Sequence, residues 1–178
     1  VQALIEAAKK NRQKMICFIT GVPGSGKTLA GLNLAAPSTY DSDQQQGGYP
    51  SGNGPLVDVL REALSRDEID RGKQQGEKVL KRDAYRKASV FIQNIHHFRD
   101  EGLRSKAAPF GKIVVFDEAQ RAWTQKNLAA WMKEKKGIPN FEMSEPEFLL
   151  SYMDRHEDWC VVVCLVGGGQ EINRGEVG

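Results

Sequence analysis

Eight residues near the start of the chain have the types and the spacing of a phosphate-binding loop. They are Gly21, Val22, Pro23, Gly24, Ser25, Gly26, Lys27 and Thr28, which fit the pattern G-x-x-x-x-G-K-[ST]. Glycines let the backbone approach a phosphate closely, so that successive N–H groups and a helix N-terminus point at negative charge. We expect Lys27 to contact the β- and γ-phosphates of a nucleotide and Thr28 to ligate Mg²⁺. A ligand-free glycine-rich turn is the alternative, but it does not explain Lys-Thr at this offset.

Two adjacent carboxylates, Asp117 and Glu118, directly follow the apolar run 112–116. A parallel sheet presents the carboxyl ends of its strands to a ligand, so the pair is placed for chemistry. We expect Asp117 to hold Mg²⁺ directly or through water, and Glu118 to polarise an attacking water. An aspartate alone would suit a kinase, whereas the following glutamate favours hydrolysis. The alternative is that both residues cap a helix.

The elements that must position these motifs alternate along the chain. Four short apolar runs are rich in β-branched or aromatic residues, which is typical of buried parallel strands, and they cover residues 15–20, 89–95, 112–116 and 159–166. Helical periodicity is found at residues 3–10, with Leu4, Ala7 and Ala8 on the apolar side, and at residues 29–35, 56–64 and 148–153. The alternation predicts an α/β fold, a three-layer sandwich with a mostly parallel sheet.

Two stretches lack an apolar pattern. Residues 41–54 contain three consecutive glutamines, several glycines and Pro50, and they predict a loop rather than a strand. Residues 68–87 are charged throughout, and their basic residues outnumber the acidic ones. This second stretch predicts a solvated helix or an insertion, with a nucleic-acid contact as the alternative.

Composition is that of an ordinary globular domain. The 178 residues, 40% hydrophobic and 27% charged, are enough for one core, so we expect a single domain over residues 1–178. The formal net charge of +2 does not by itself indicate a polyanionic partner.

No apolar run approaches the roughly 20 residues that span a bilayer, and the three cysteines form no C-x-x-C pair. We therefore expect a cytoplasmic protein without a membrane partner. Because the chain begins without Met and ends in a glycine-rich stretch, we expect it to be part of a longer protein.

Several aromatic residues could also do chemistry. His96 and His97 follow an apolar run, but no third ligand accompanies them at the spacing of a metal site, so we expect structural or surface histidines. Trp123, Trp131 and Trp159 could stack on bases. Packing in the core or at a lobe interface is the role that we expect for them.

Three motifs together resemble a known family. Asp117-Glu118-Ala119-Gln120 resembles the second motif of superfamily I helicases, and residues 165–171 resemble their third motif, in which a strand leads into a glycine turn and a glutamine. The segments SGNGPLV (51–57), FDEAQRAW (116–123) and GGGQEIN (167–173) resemble the Schlafen group 3-like DNA/RNA helicase domain family, over nearly the whole chain. The resemblance implies a RecA-like P-loop NTPase lobe that uses ATP and Mg²⁺. It also implies that Gln170 senses the γ-phosphate.

The resemblance further implies two macromolecular partners, single-stranded DNA or RNA and a second RecA-like lobe. In superfamily I enzymes the segment matching residues 51–57 places a helix N-terminus, here beside Asn53, against the nucleic-acid backbone. From the residues alone, a capping turn with Pro55 at the first helical position is an equal alternative. The chain departs from the family pattern before Ser51, where polar residues replace an apolar strand. It also ends after the third motif, and neither Arg121 nor Arg174 occupies an arginine-finger motif.

The leading hypothesis is therefore an ATPase, the first motor lobe of a nucleic-acid-dependent helicase. Lys27, Glu118 and Gln170 are the expected catalytic residues, and Thr28 and Asp117 the expected metal ligands. We expect slow turnover in isolation, because loss of an arginine finger costs roughly 10³ to 10⁵ in rate. The alternatives are a non-catalytic nucleotide switch in a defence or signalling protein and a P-loop kinase. Turnover that responds to nucleic acid would favour the motor over the switch.

Overall fold

The computed structural model describes residues 1–35 and 48–167. Within these ranges the strands are β1 (Lys14–Gly21), β2 (Tyr49–Ser51), β3 (Ile92–Asn94), β4 (Ile113–Phe116) and β5 (Cys160–Gly167). The α-helices of the same ranges are α1 (Gln2–Asn11), α2 (Lys27–Ala35), α3 (Gly54–Gln74), α4 (Lys81–Phe91), α5 (Ile95–Arg104), α6 (Gln125–Lys136) and α7 (Glu145–Met153). A 3-10 turn covers Ala119–Arg121. None of the described helices is both long enough and apolar enough to cross a membrane.

All strand pairs of the described sheet are parallel. Strand β5 lies between β1 and β4, while β2 pairs with β3. Gly48 joins the two groups, because its N–H donates to the Ile113 carbonyl at 2.8 Å and its own carbonyl accepts from the Val115 N–H at 2.9 Å. The strands therefore follow the order β1-β5-β4-β2-β3. This arrangement confirms the predicted α/β fold with a mostly parallel sheet.

Helices cover both faces of the sheet. Alternate residues of β5 point to opposite sides: Val161, Val163 and Leu165 pack with α1, α2 and α3, whereas Cys160 and Val162 pack with α5 and α7. Each face thus has its own apolar cluster, as the three-layer prediction requires. In α1 the buried residues are Ile5 and Ala8, so the prediction is confirmed for Ala8 and wrong for Leu4, which is 46% exposed.

The predicted strand at residues 89–95 is largely helical. Helix α4 continues to Phe91, strand β3 is confined to Ile92–Asn94, and α5 begins directly afterwards. The Asn94 side chain accepts a hydrogen bond from the His96 N–H at 3.0 Å and caps α5. An apolar run does not distinguish a buried strand from a buried helix end by itself, which explains the error.

The predicted loop at residues 41–54 contains a strand. Tyr49–Ser51 forms β2 and all three residues are buried, so the loop prediction was wrong there. A proline can be tolerated in so short a strand, since Pro50 gives up only one N–H donor. Residues 36–47 lie outside the described residues.

The charged stretch 68–87 forms the end of α3, a connection and the start of α4. Most of its basic residues are paired with acids across and along these helices: Lys87 Nζ lies 2.6 Å from Glu68 Oε1 and Lys73 Nζ lies 2.9 Å from Asp70 Oδ1. The pairing and exposure of these side chains favour the solvated-helix interpretation over a nucleic-acid contact.

Candidate functional site

The phosphate-loop residues form a tight turn between β1 and α2. Gly24 and Gly26 have φ angles of 80° and 82°, which glycine adopts without steric cost. A Cβ on Gly21 would lie 2.7 Å from Ser25 Oγ, so the loop closes against this residue. Lys27 Nζ donates to the carbonyls of Gly21 at 2.7 Å and Val22 at 2.9 Å. The ammonium group is therefore enclosed by the loop at the N-terminus of α2, where helix N–H groups favour an anion.

Close contact with the sheet fixes the position of α2. A Cβ on Gly31 would lie 2.7 Å from Leu165 Cδ1 on β5 and 2.9 Å from Val115 Cγ1 on β4. The helix can approach the strands this closely only because residue 31 has no side chain. Thr28 lies one turn before Gly31 on the same helix face, so the same contact directs Thr28 toward the sheet.

The carboxylate pair follows β4 at the same edge of the sheet. Asp117 is only 6% exposed, and its Oδ1 accepts a hydrogen bond from the Glu118 N–H at 3.1 Å. Asp117 Oδ2 is buried and has no hydrogen-bond partner among the described residues. Burial raises the pKa of Asp117, and the neighbouring Glu118 raises it further, whereas Tyr49 and Lys27 act in the opposite direction. A cation next to Oδ2 would stabilise the ionised carboxylate.

Glu118 has an unusual backbone conformation, with φ 53° and ψ 43°. A left-handed conformation at a residue other than glycine costs roughly 1–3 kcal/mol and is concentrated at functional sites. The Glu118 side chain is 39% exposed and lies 3.9 Å from Arg121 Nε. Its carboxylate is thus accessible to solvent at the edge of the site.

Gln120 is a site residue that the sequence interpretation left without a role. Its Nε2 donates to Glu118 Oε2, and its Oε1 accepts a hydrogen bond from the Gly167 N–H at 3.1 Å. One amide group therefore links the carboxylate after β4 to the last residue of β5. Its place in the Asp-Glu-Ala-Gln tetrad was the sequence signal that could have identified it.

Tyr49 is a second residue that the sequence interpretation missed. It is fully buried on β2, and its hydroxyl lies near enough to Asp117 and Thr28 for both to influence its pKa. Burial raises the pKa of Tyr49 strongly, the negative charge of Asp117 raises it further, and Thr28 acts in the opposite direction. The phenol is therefore neutral and keeps its proton for donation. A tyrosine next to buried strand residues in an otherwise polar segment was the available signal.

The residue types at this edge fit Mg²⁺ and a nucleotide. Mg²⁺ is bound by few protein oxygens together with phosphates and water, and the Thr28 hydroxyl and Asp117 Oδ2 supply such oxygens. The described ranges contain no group of three or more His, Cys, Asp or Glu side chains that could hold a metal ion. Lys27 lies close enough to Asp117 to influence its pKa. Gln170 lies outside the described residues, so its expected role stays a prediction.

The segment proposed to face nucleic acid caps helix α3. Asn53 is the N-cap residue, and its side chain accepts a hydrogen bond from the Leu56 N–H at 3.3 Å. Its own N–H donates to Ser51 Oγ at 3.2 Å, and Pro55 lies in the first turn. The capping interpretation is confirmed, and contact with a nucleic-acid backbone stays a prediction.

The tryptophans and His96 have packing roles, as predicted. Trp159 is buried in the core, whereas Trp123 and Trp131 both contact the buried guanidinium of Arg99. His96 stacks on Trp131, with ring centroids 6.3 Å apart, and its Nδ1 lies 2.7 Å from Arg99 Nη2. This cluster lies among α5, α6 and α7 rather than at the edge that carries the phosphate-loop motif and the carboxylate pair.

Comparison with known proteins places the chain among helicase domains. The family described as "Schlafen group 3, DNA/RNA helicase domain" matches residues 14–178. A similar solved structure is the helicase domain of Hef from Pyrococcus furiosus, with 20% sequence identity and a TM-score of 0.44. The alignment covers 94% of this chain but only 33% of the Hef chain. A search of curated proteins found no match. The family match extends over most of the chain and carries with it a helicase-like nucleotide-binding fold. The chain therefore belongs to the Schlafen group 3 DNA/RNA helicase domain family.

Proposed function

We propose that the chain binds ATP with Mg²⁺ and hydrolyses it as the first motor lobe of a superfamily I helicase-like, nucleic-acid-dependent ATPase. The observation that carries this proposal is the placement of two motifs at one edge of the sheet. The phosphate loop follows β1 and the Asp117–Glu118 pair follows β4, and both strands flank β5 in parallel register. This is the edge at which α/β proteins bind nucleotides.

Lys27 and the loop glycines supply the phosphate site. The Lys27 ammonium exchanges its bonds to the Gly21 and Val22 carbonyls for bonds to phosphate oxygens when a nucleotide enters. The backbone N–H groups at the start of α2 add further donors. Binding should therefore depend strongly on the charge of Lys27.

Thr28 and Asp117 hold the metal in this proposal. Bound Mg²⁺ neutralises charge on the β- and γ-phosphates, which lowers the barrier to their cleavage. The buried, otherwise unpaired Asp117 Oδ2 supports the assignment, since a buried anionic oxygen requires a partner.

Glu118 is the group that orients and deprotonates the attacking water. Gln120 donates to Glu118 Oε2, which leaves Oε1 available to accept a proton. The left-handed backbone of Glu118 turns its side chain out from the strand. Gln170, by family resemblance, senses the γ-phosphate, and the N-terminus of α3 beside Asn53 faces single-stranded DNA or RNA.

The first test is Mg²⁺-dependent binding of a fluorescent ATP analogue by the wild-type chain and by Lys27→Ala. Loss of binding in this variant, with retention in the exposed α1 control Lys10→Ala, supports the phosphate site. Absence of binding by a folded wild-type sample would refute the proposal.

The second test is single-turnover ATP hydrolysis with and without single-stranded DNA or RNA. We expect Glu118→Gln to retain nucleotide binding and to lose roughly 10²-fold or more in rate. Faster ATP hydrolysis by the wild type in the presence of single-stranded DNA or RNA supports a motor lobe. Lys27-dependent binding without hydrolysis or any response to nucleic acid would favour a nucleotide switch instead.

A further inference from the structure

We propose that Tyr49 is a positioning residue of the magnesium site, whose hydroxyl donates to Asp117 Oδ2 and holds this carboxylate where it and Thr28 ligate one cation. The inference rests on the proposed function, because it concerns the same metal. It assigns a role to a strand that lies outside both the phosphate loop and the carboxylate pair.

The Tyr49 ring is held in place by α2. Tyr49 is fully buried on β2, next to β4. A Cβ on Gly31 would lie 3.3 Å from Tyr49 Cε2, so the ring edge beside the hydroxyl packs against this helix. Thr28 is on the same face of α2, one turn earlier. Thr28 and Asp117 both influence the pKa of the Tyr49 hydroxyl, so the hydroxyl lies near both of them.

Tyr49 and Asp117 each carry a buried oxygen atom that lacks a hydrogen bond. Tyr49 Oη and Asp117 Oδ2 are both buried, and neither has a hydrogen-bond partner within the described residues. Buried polar atoms without partners are rare, because each has lost its hydrogen bonds to water. Asp117 is nevertheless the charge that acts most strongly on the Tyr49 hydroxyl. A hydrogen bond from the phenol to Oδ2 would satisfy both atoms, and Oδ2 would keep a second lone pair for the metal.

Such a bond would orient the carboxylate from two sides. Asp117 Oδ1 already accepts from the Glu118 N–H, and the phenol would hold Oδ2. Hydrogen bonds from outside the metal's own ligands fix the ligand geometry, and their removal typically costs 10- to about 100-fold in metal affinity. Mg²⁺ is especially sensitive because it demands near-octahedral geometry.

The test is a Mg²⁺ titration of fluorescent ADP binding by the wild-type chain and by Tyr49→Phe. We expect the Mg²⁺ midpoint of the variant to rise about 10-fold or more. Its affinity for the nucleotide in EDTA should stay at the wild-type value, because the hydroxyl does not contact phosphate. The control is Tyr152→Phe, which removes the hydroxyl of a buried tyrosine on the opposite face of the sheet and should leave the midpoint unchanged.

The outcomes separate this inference from the proposed function. An unchanged Mg²⁺ midpoint in Tyr49→Phe, with Lys27-dependent binding intact, would overturn the role of Tyr49 alone. If Tyr49→Phe lost ADP affinity equally with Mg²⁺ and in EDTA, Tyr49 would be a packing residue, and its role as a positioning residue would also be overturned. A wild-type chain that does not bind Mg²⁺ and nucleotide together would refute both proposals.

A second measurement applies even if Tyr49→Phe fails to fold. The chain contains four tyrosines, so fluorotyrosine labelling of the wild type gives a ¹⁹F spectrum with few resonances. Conversion of the other three to phenylalanine assigns the Tyr49 signal. This signal should shift when Mg²⁺ is added at saturating ADP, and an unshifted signal would contradict the inference.

Discussion

Replacing Arg99 with methionine should lower the free energy of unfolding by about 3–5 kcal/mol, the cost of leaving one partner of a buried ion pair without the other. Arg99 is fully buried on α5, and its Nη1 lies 2.8 Å from Glu145 Oε1 at the start of α7. The Glu145 side chain is only 4% exposed. Without Arg99 its carboxylate would lose its charged partner in an environment that water scarcely reaches.

The structure indicates where the loss comes from. The Arg99 guanidinium carbon lies 4.1 Å from the Trp131 ring centroid and 5.1 Å from that of Trp123, and desolvated cation–π contacts of this kind contribute up to about 2 kcal/mol. Methionine has a similar length, so the cavity that it leaves is small. A domain of ordinary stability, about 5–15 kcal/mol, would lose a large fraction of that stability.

Urea unfolding at 25 °C, followed by circular dichroism, measures the effect. Arg99→Met/Glu145→Leu should recover most of the loss, because two apolar residues of similar size can replace a buried pair. The control is Lys14→Met, which removes an exposed pair with Asp154 and should change stability by less than about 1 kcal/mol. This reasoning would be refuted if Arg99→Met lowered the free energy of unfolding by less than about 1 kcal/mol. It would also be refuted if the loss in the double variant equalled the sum of the losses in the two single variants.

Two further predictions concern packing and pH. Gly31→Ala should destabilise the chain by about 1–3 kcal/mol in the same urea assay, because its Cβ would clash with Leu165. The control is Gly54→Ala at the start of α3, whose Cβ meets open space and should not destabilise the chain. Burial lowers the pKa of both His96 and His156, so the folded chain binds fewer protons than the unfolded chain. The free energy of unfolding should therefore fall as pH is lowered through about 6.5, the pKa of histidine in the unfolded chain. His96→Gln should reduce that fall. An equal fall in the variant would show that His96 does not contribute to the pH dependence.

The elements that were predictable from sequence are those whose pattern is local. Strands β1, β4 and β5 are continuous apolar runs, and each was expected within one or two residues of its observed bounds. The expectation that β1 is buried was wrong: its residues alternate between exposed and half-buried, because among the described strands it pairs only with β5. Strand β2 was missed because its three residues include Pro50 and follow a polar stretch. Its pairing with β3, and the link from Gly48 to β4, involve residues distant in sequence. No local pattern encodes such pairing.

The same distinction applies to the candidate site. The phosphate loop and the carboxylate pair were identifiable because their chemistry fixes residue types at short spacing. Tyr49 and Gln120 were not assigned roles from sequence, since those roles depend on Asp117 and Gly167, which only the folded sheet brings near them. Gln170 stays a prediction from resemblance.

The segment from Asp117 to Trp123 is held at both ends, which constrains how the Glu118 carboxylate, the base that we propose, can respond to a nucleotide. Asp117 extends β4, and at the other end the Trp123 N–H donates to Glu145 Oε2 while the Glu145 N–H donates to the Trp123 carbonyl, both at 3.0 Å. The buried Arg99 ion pair fixes Glu145 in turn. Between these anchors, the Gln120 amide is the contact that joins Glu118 to the end of β5. Because the backbone on either side is fixed, a displacement at the end of β5 should reach Glu118 through this amide rather than through movement of the whole segment.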